Sequence, residues 1–397
     1  MTTDLTAFTG GRVVPIDSRV VDGGTVLVRA GRIEAVGAGV AVPDGAEVVD
    51  CAGRWVLPGF LDAHVHLGVH EEGEGRDGND TGELTDPSTP QVRALDAVNP
   101  ADVGFADALA AGVLAVNVNP GSGNAIGGQT VALRCWGRTV EEMLLRAPSG
   151  MKSALGENPK RTYGDKGRLP STRLGTAAVI RAALAAAADY DAKRRLEDEG
   201  RRPDRDLGLE ALAMVLRREI PWRQHCHRAD DIATALRLAE EFGYDLVLDH
   251  GTEAHLLADV IAERGVPVLI GPLMTSRSKV ELRQRSLRNP GLLAAAGVEI
   301  SIITDHPVVP VNFLVLQAIL AVKEGLDPEV ALRSLTLHPA RVMGVLDRLG
   351  SLTAGKDADI VVWSGDPLDI RSRVLAAWVA GRHAFRYAPE GGRQVFE

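Results

Sequence analysis

Residues 56–68 read VLPGFLDAHVHLG, an apolar run that ends in two histidines, His64 and His66. In a β-strand, residues i and i+2 point to the same face, so both imidazoles would project together from the end of a buried strand. Imidazole nitrogens that converge in this way are typical ligands of transition-metal ions. The stretch therefore predicts a metal site at the end of a strand.

Three further stretches carry candidate metal ligands. His225 lies in WRQHCHRADD, His250 in LVLDHGTE and Asp305 in ISIITDHP, and each residue ends an apolar, strand-like run. A closed barrel explains this distribution better than an open sheet, because barrel enzymes build their sites at the C-terminal ends of several separate strands. These strand ends therefore predict one shared metal centre.

The stretch PGFLDAHVHLG, with these later residues in the same order, resembles the signature of the amidohydrolase superfamily. The resemblance covers nearly the whole chain and points to the imidazolonepropionase-like and prolidase-like branch. It implies a metal-dependent hydrolase in which His64, His66 and Asp305 hold one metal. It also implies that His225 and His250 hold a second metal or complete the first. We expect one or two divalent ions per chain and assign Zn²⁺, although manganese, iron and cobalt also suit these ligands.

The segment SGMKSALGENPKR, residues 149–161, offers two candidates for a ligand that bridges two metals. Lys152 occupies the place where some members of the superfamily carry a carboxylated lysine. Glu157 is a carboxylate already and stands nearer the loop end of the strand, which favours it. Positions 152 and 157 of a regular strand face opposite sides, so both could bridge only if the strand breaks at Gly156.

The residues after His225 differ from the pattern of some members of the superfamily. Deaminases and imidazolonepropionases of the superfamily place an acid three residues after the fifth-strand histidine, whereas this chain has Arg228 there. This difference argues against a deaminase. Arg228 could bind a substrate carboxylate or form a structural salt bridge. His227 shares a face with His225 and could contact the substrate or pack in the core.

Strand-like and helix-like segments alternate along the middle of the chain. In its clearest part, strands are predicted over residues 222–227, 244–249, 266–270 and 298–304, and helices over 229–242 and 253–264. Strands that recur with helical connections are typical of a parallel α/β sheet. Together with the resemblance, this pattern predicts a (β/α)₈ TIM barrel over residues 57–345.

The two ends of the chain have a different character. Residues 1–56 and 346–397 contain short alternating segments between glycines, which predict half-buried strands. Neither end has enough residues for a core of its own. We therefore expect both to form one small β-sandwich domain into which the barrel is inserted, an arrangement that the resembling family shares.

Composition and charge limit the possible partners and the cellular compartment. The net charge of −9 over 397 residues makes nucleic acid and anionic membranes unsuitable partners. Three cysteines without CxxC spacing indicate a reducing compartment. No basic-then-apolar leader and no apolar run of 18 residues is present in the sequence. We expect a cytoplasmic homo-oligomer that acts on a small molecule.

The resemblance, together with the candidate ligands, implies a hydrolase that cleaves an amide-type C–N bond, linear or cyclic. Asp305 is the predicted general base, and an X-Pro or other dipeptide or a cyclic amide is the expected substrate. Two alternatives remain open: a heterocycle deaminase of the same superfamily, and a non-catalytic barrel that serves as a scaffold. The presence of all five candidate ligands argues against the scaffold.

Overall fold

Two β-sheets organise the chain in the computed structural model, which describes residues 5–196, 202–388 and 392–396. The N-terminal strands are β1 (Leu5–Val13), β2 (Val21–Arg29), β3 (Arg32–Gly37), β4 (Glu47–Asp50) and β5 (Trp55–Pro58). The central strands are β6 (Phe60–Val65), β7 (Val113–Val118), β8 (Ile126–Arg134), β9 (Leu144–Ala154), β10 (Trp222–Cys226), β11 (Leu246–His250), β12 (Val268–Ile270) and β13 (Ile300–Ile302). The C-terminal strands are β14 (Ile360–Trp363), β15 (Val374–Val379), β16 (Arg382–Ala388) and β17 (Gly392–Val395).

Helices connect most of the central strands. Those in the described ranges are α1 (Val103–Ala110), α2 (Val140–Met143), α3 (Glu157–Gly164), α4 (Arg173–Arg194), α5 (Leu207–Leu216), α6 (Ala229–Phe242), α7 (Ala258–Glu263), α8 (Asn289–Ala295), α9 (Leu314–Lys323), α10 (Pro328–Ser334) and α11 (Leu337–Val342). Across these ranges, no helix combines the length and the apolar character that crossing a membrane requires.

The central strands form a mixed barrel sheet in the order β6 to β13. Neighbouring strands are parallel except at β8, which runs antiparallel to both β7 and β9. The prediction of a parallel sheet therefore fails for this one strand. Only residues 119–125 separate β7 from β8, and this is too short for the helical crossover that a parallel neighbour needs.

The first and last barrel strands meet through residues that follow β13. The backbone N–H of Asp305 donates to the carbonyl oxygen of His64 at 3.1 Å, and that of His66 donates to the carbonyl oxygen of His306 at 2.9 Å. These bonds nearly close the barrel. They also place the candidate ligands of β6 directly beside Asp305.

Helix α6 illustrates how the outer layer packs on the barrel. Ile232, Ala235 and Leu236 recur at helical spacing and are buried in the apolar layer between helices and strands. The helix ends before Gly243, whose φ of 73° lies in the left-handed region that glycine adopts without steric cost. Its bounds agree with the helix predicted over residues 229–242.

Strands from both chain ends lie in one nine-stranded sheet. Strand β14 pairs antiparallel with β5, which joins the C-terminal strands to the N-terminal ones. The rings of Phe8 on β1 and Trp378 on β15 lie 4.7 Å apart, although β5 and β14 separate these strands in the sheet. The sheet therefore curls so that the two ends share a core. The domain boundaries 1–56 and 346–397 stay a prediction, and residues 1–4, 389–391 and 397 lie outside the described residues.

Candidate active site

An irregularity in β6 turns two histidines toward the same point. Between Asp62 and Val65, β6 carries one residue more than its partner β7. Val65 packs into the apolar layer outside the barrel. The Nε2 atoms of His64 and His66 lie 3.3 and 3.4 Å from Oδ1 of Asp305. The first strand thus presents both imidazoles to the carboxylate that follows the last strand.

His250 and Asp305 reach the site through left-handed backbone conformations. Their φ angles are 75° and 54°, values that non-glycine residues rarely adopt. Leu248 on β11 packs in the outer apolar layer, and simple alternation would send His250 to that side as well. The change of backbone conformation instead brings its ring within 4.8 Å of the ring of His64. Backbone strain at these two residues is typical of functional sites.

Two groups of potential ligand atoms share His250. The ligand atoms of His225, His227 and His250 lie within 4.8 Å of one another, and so do those of His64, His250 and Asp305. The Nε2 atom of His250 is buried and has no hydrogen-bond partner within the described part of the chain. A buried imidazole nitrogen without a partner, placed between two ligand groups, fits a bound metal ion.

The protonation states favour metal binding. Burial lowers the pKa of His225 and of His250 well below the usual value, and repulsion between neighbouring imidazoles adds to this effect. Burial, with the charge of Lys279, lowers the pKa of His227 to about 3. Burial alone would raise the pKa of Asp305, but the nearby imidazoles hold it well below its usual range. Neutral imidazoles and an ionised carboxylate are the forms that coordinate a divalent cation.

In the four histidines predicted as metal ligands, one ring nitrogen forms a hydrogen bond that orients the imidazole. In each case Nδ1 is engaged, which leaves Nε2 directed at the site. The Nδ1 partners are Asp249 Oδ2 for His64 at 2.9 Å, the Asn119 carbonyl oxygen for His66 at 2.8 Å, Ser122 Oγ for His225 at 3.0 Å and the Gly271 carbonyl oxygen for His250 at 2.9 Å.

A buried charged network below the site was missed by sequence reasoning. The carboxylate of Asp249 contacts Arg223 Nε at 3.2 Å and Lys152 Nζ at 3.8 Å, and all three side chains are inaccessible to solvent. Burial opposes ionisation of Asp249, but Arg223 and His64 together bring its pKa well below the usual range. Arg223 stands two residues before His225 on β10, so strand alternation could have placed it on the same inward face.

The two candidate bridging residues lie in different surroundings. Lys152 Nζ is 3.2 Å from His64 Nε2, and burial lowers the pKa of its amine to about 8. Glu157 starts helix α3, beyond the end of β9, and belongs to neither ligand group. Gly156 separates the strand from this helix with a φ of 86°. The strand therefore ends between the two positions.

The two predicted substrate-binding residues differ in their distance from the histidine cluster. The ring of His227 lies 4.7 Å from that of His225 and 4.9 Å from that of His250, inside the cluster. The guanidinium of Arg228 instead donates from Nε and Nη2 to the two carboxylate oxygens of Asp230, both at 2.9 Å. Its side chain is about one-third exposed, at 34%.

Comparisons with known sequences give a family match over most of the chain. The model of the family described as "Amidohydrolase family" matches residues 55–387. Amidohydrolase tasK of Hapsidospora irregularis is 31% identical over 91% of this chain, and the chain spans 40% of that protein's length. The imidazolonepropionase of Acidiphilium cryptum (strain JF-5) is 29% identical over 91% of this chain and 90% of its own length.

Solved structures resemble the whole architecture. An amidohydrolase from Thermotoga maritima MSB8 has 46% identity and a TM-score of 0.93, with 96% of this chain and 100% of that chain covered. A prolidase complexed with N-methylphosphonate-L-proline has 20% identity and a TM-score of 0.62 over 96% of this chain and 100% of its own. The second likeness concerns the fold alone.

Proposed function

The chain belongs to the amidohydrolase family, and from this premise we propose that it hydrolyses an amide-type C–N bond, linear or cyclic, in a small molecule. The convergence of buried imidazoles and one ionised carboxylate on the unpartnered Nε2 atom of His250 carries the proposal. This arrangement suits metal-assisted hydrolysis.

The proposed ligands divide into two sets. His64, His66 and Asp305 hold one divalent ion, and His225 and His250 hold a second or complete the first. We propose Zn²⁺, since neutral imidazoles and a carboxylate suit it. When bound, the metal would supply a Lewis acid that polarises a carbonyl group and lowers the pKa of a water molecule. Lys152 or Glu157 would bridge the two sets.

Asp305 does the proton transfer in this proposal. Its carboxylate is ionised, so it can accept a proton from the attacking water and return it to the leaving nitrogen. Its Oδ1 lies 3.3 and 3.4 Å from the Nε2 atoms of His64 and His66, so the carboxylate faces the same point as both imidazoles. Asp249 keeps His64 in one tautomer, and His227 borders the space that the substrate would occupy.

The proposed reaction and the relatives in sequence limit the class of substrate. An X-Pro or other dipeptide, or a cyclic amide, suits the proposal, and an imidazolonepropionase is among the relatives in sequence. A heterocycle deaminase is the alternative from the same superfamily. The residue three after His225 is Arg228, where deaminases and imidazolonepropionases of the superfamily both place an acid, so we favour an amide hydrolysis in which Asp305 transfers the proton.

A substrate screen tests the proposal. Purified, metal-loaded protein would be incubated with dipeptides, cyclic amides and heterocyclic amines, with chromatography to detect cleaved products and a separate assay for ammonia. We expect hydrolysis of an amide bond without ammonia release. Ammonia released from a heterocyclic amine would favour the deaminase, and a protein that takes up no metal and hydrolyses none of the compounds would favour the scaffold.

A further inference from the structure

The loop that follows β12 is fixed over the candidate ligands by two buried carboxylates. Glu281 Oε1 in this loop accepts hydrogen bonds from the backbone N–H of Glu157 at 2.7 Å and from Arg173 Nη2 at 2.9 Å. Glu253, which follows β11, accepts one from Gln284 Nε2 at 3.1 Å. The loop is therefore attached to the ends of β9 and β11, on either side of the strand that carries His225.

Lys279 lies in this loop, two residues before Glu281. Its Nζ donates a hydrogen bond of 2.8 Å to Oδ1 of Asn158. The amide nitrogen of the same asparagine lies 3.4 Å from Nε2 of His225. One asparagine side chain thus separates the ammonium group from the imidazole cluster. After burial, the charge of Lys279 is the largest cause of the low pKa of His227. This agrees with the short distance between the ammonium group and the imidazole cluster.

The charge of Lys279 is not balanced within the described residues. No carboxylate of these residues forms an ion pair with it, and its only hydrogen-bond acceptor there is the neutral amide of Asn158. Nearby, Lys152 lies beside Asp249 and Arg228 binds Asp230. Arg277 and Arg285 of the same loop donate to backbone carbonyl oxygens instead. A partly buried ammonium group without a counter-charge attracts an anion.

We propose that Lys279 binds a free carboxylate group of the substrate and so selects substrates that carry one beside the scissile amide bond. The inference rests on the proposed function, since it concerns the same site. An ammonium group forms charge-assisted hydrogen bonds with a carboxylate, which a neutral carboxamide cannot match. The loop anchors at Glu281 and Glu253 hold the lysine in place before the substrate arrives, which reduces the entropy lost on binding.

A pair of matched probes tests the inference. N-acetyl-L-proline and N-acetyl-L-prolinamide differ only in the carboxylate, and calorimetry would measure the binding of each to the metal-loaded full chain. Lys279→Met should weaken binding of the acid by about tenfold or more, as expected for a lost charged hydrogen bond. Binding of the amide should change by less than about twofold on the same scale. Lys279→Arg should retain most of the affinity for the acid.

The control is Lys160→Met, which removes the same charge from an exposed position on α3 and should change neither affinity. If Lys279→Met weakens the binding of both probes equally while the metal content stays unchanged, the lysine has only a structural role. A wild type that binds the acid no more tightly than the amide would overturn the inference. So would a selective loss of acid binding in Arg228→Gln alone. Absence of any amide hydrolysis would reject the proposed function but leave this binding comparison valid.

Discussion

The imidazole of His64 and the carboxylate of Asp249 are joined by a hydrogen bond of 2.9 Å, and neither side chain is accessible to solvent. Their strands, β6 and β11, are not neighbours in the barrel. The bond therefore crosses the barrel interior and connects a candidate ligand with a residue 185 positions later in the chain. It also links the ligand set to the buried cations Arg223 and Lys152.

Replacement of Asp249 tests this connection. Asp249→Asn keeps the shape of the side chain but removes the charge that orients His64 and balances Arg223. We expect metal affinity to fall by about 10- to 100-fold, the usual effect of losing such a supporting partner. Competition with a chelator would measure it. Asp245→Asn, at an exposed position just before the same strand, is the matched control. Equal metal affinity in both variants would contradict the role assigned to Asp249.

Asp305→Asn tests the general base. An amide can neither accept the proton nor return it, so we expect turnover to fall by about 10²- to 10⁴-fold while the protein stays folded. Steady-state kinetics on the substrate found in the screen, with circular dichroism of the same samples, would check this. A loss smaller than about fivefold at neutral pH would indicate another base.

The bridging ligand can be identified by metal counting. Lys152 can bridge two metals only as a carbamate formed with carbon dioxide, whereas Glu157 needs no modification. If lysine bridges, Lys152→Ala should lower metal occupancy toward one and bicarbonate should aid reconstitution. If glutamate bridges, Glu157→Gln should have that effect and bicarbonate none. One metal in the wild type, unchanged in both variants, would reject both bridges.

Two glycines separate steric from conformational effects on stability. Gly156 has a φ of 86°, and an added Cβ would lie 2.5 Å from Oε1 of Glu281. Gly167 has a φ of 64° and no neighbour within 4 Å of that position. Gly167→Ala should lower the free energy of unfolding by about 1 kcal/mol. Gly156→Ala should lower it by about 2 kcal/mol more, because Glu281 is displaced as well. Chemical denaturation would measure both, and equal losses would contradict the steric contribution of Glu281.

Much of the barrel could be predicted from local patterns. Helix α6 has the predicted bounds, and the strand predicted over residues 222–227 corresponds to β10 (Trp222–Cys226). Period-two alternation requires only neighbouring residues, so it is visible in the sequence. The reversed direction of β8 was not predicted, because it depends on the short connection over residues 119–125 and the alternation within a strand does not encode the direction of that strand.

The contacts that cross the barrel could not be predicted. The bond between His64 and Asp249 depends on how far each strand is shifted relative to the others, and no local pattern encodes that shift. The left-handed conformations at His250 and Asp305 oppose the ordinary preference of these residues. The position of Lys279 depends on a loop whose anchors, Glu281 and Glu253, lie on separate segments.

The most direct test of the central claim is the metal content and amide hydrolysis of His250→Ala, since His250 belongs to both ligand groups. His338→Ala is the control, because this partly buried histidine binds the carbonyl oxygen of Ile300 outside those groups. We predict that His250→Ala stays folded, as measured by circular dichroism, but loses bound metal and hydrolytic activity together, while His338→Ala retains both. Wild-type metal content with full activity in His250→Ala would contradict the account.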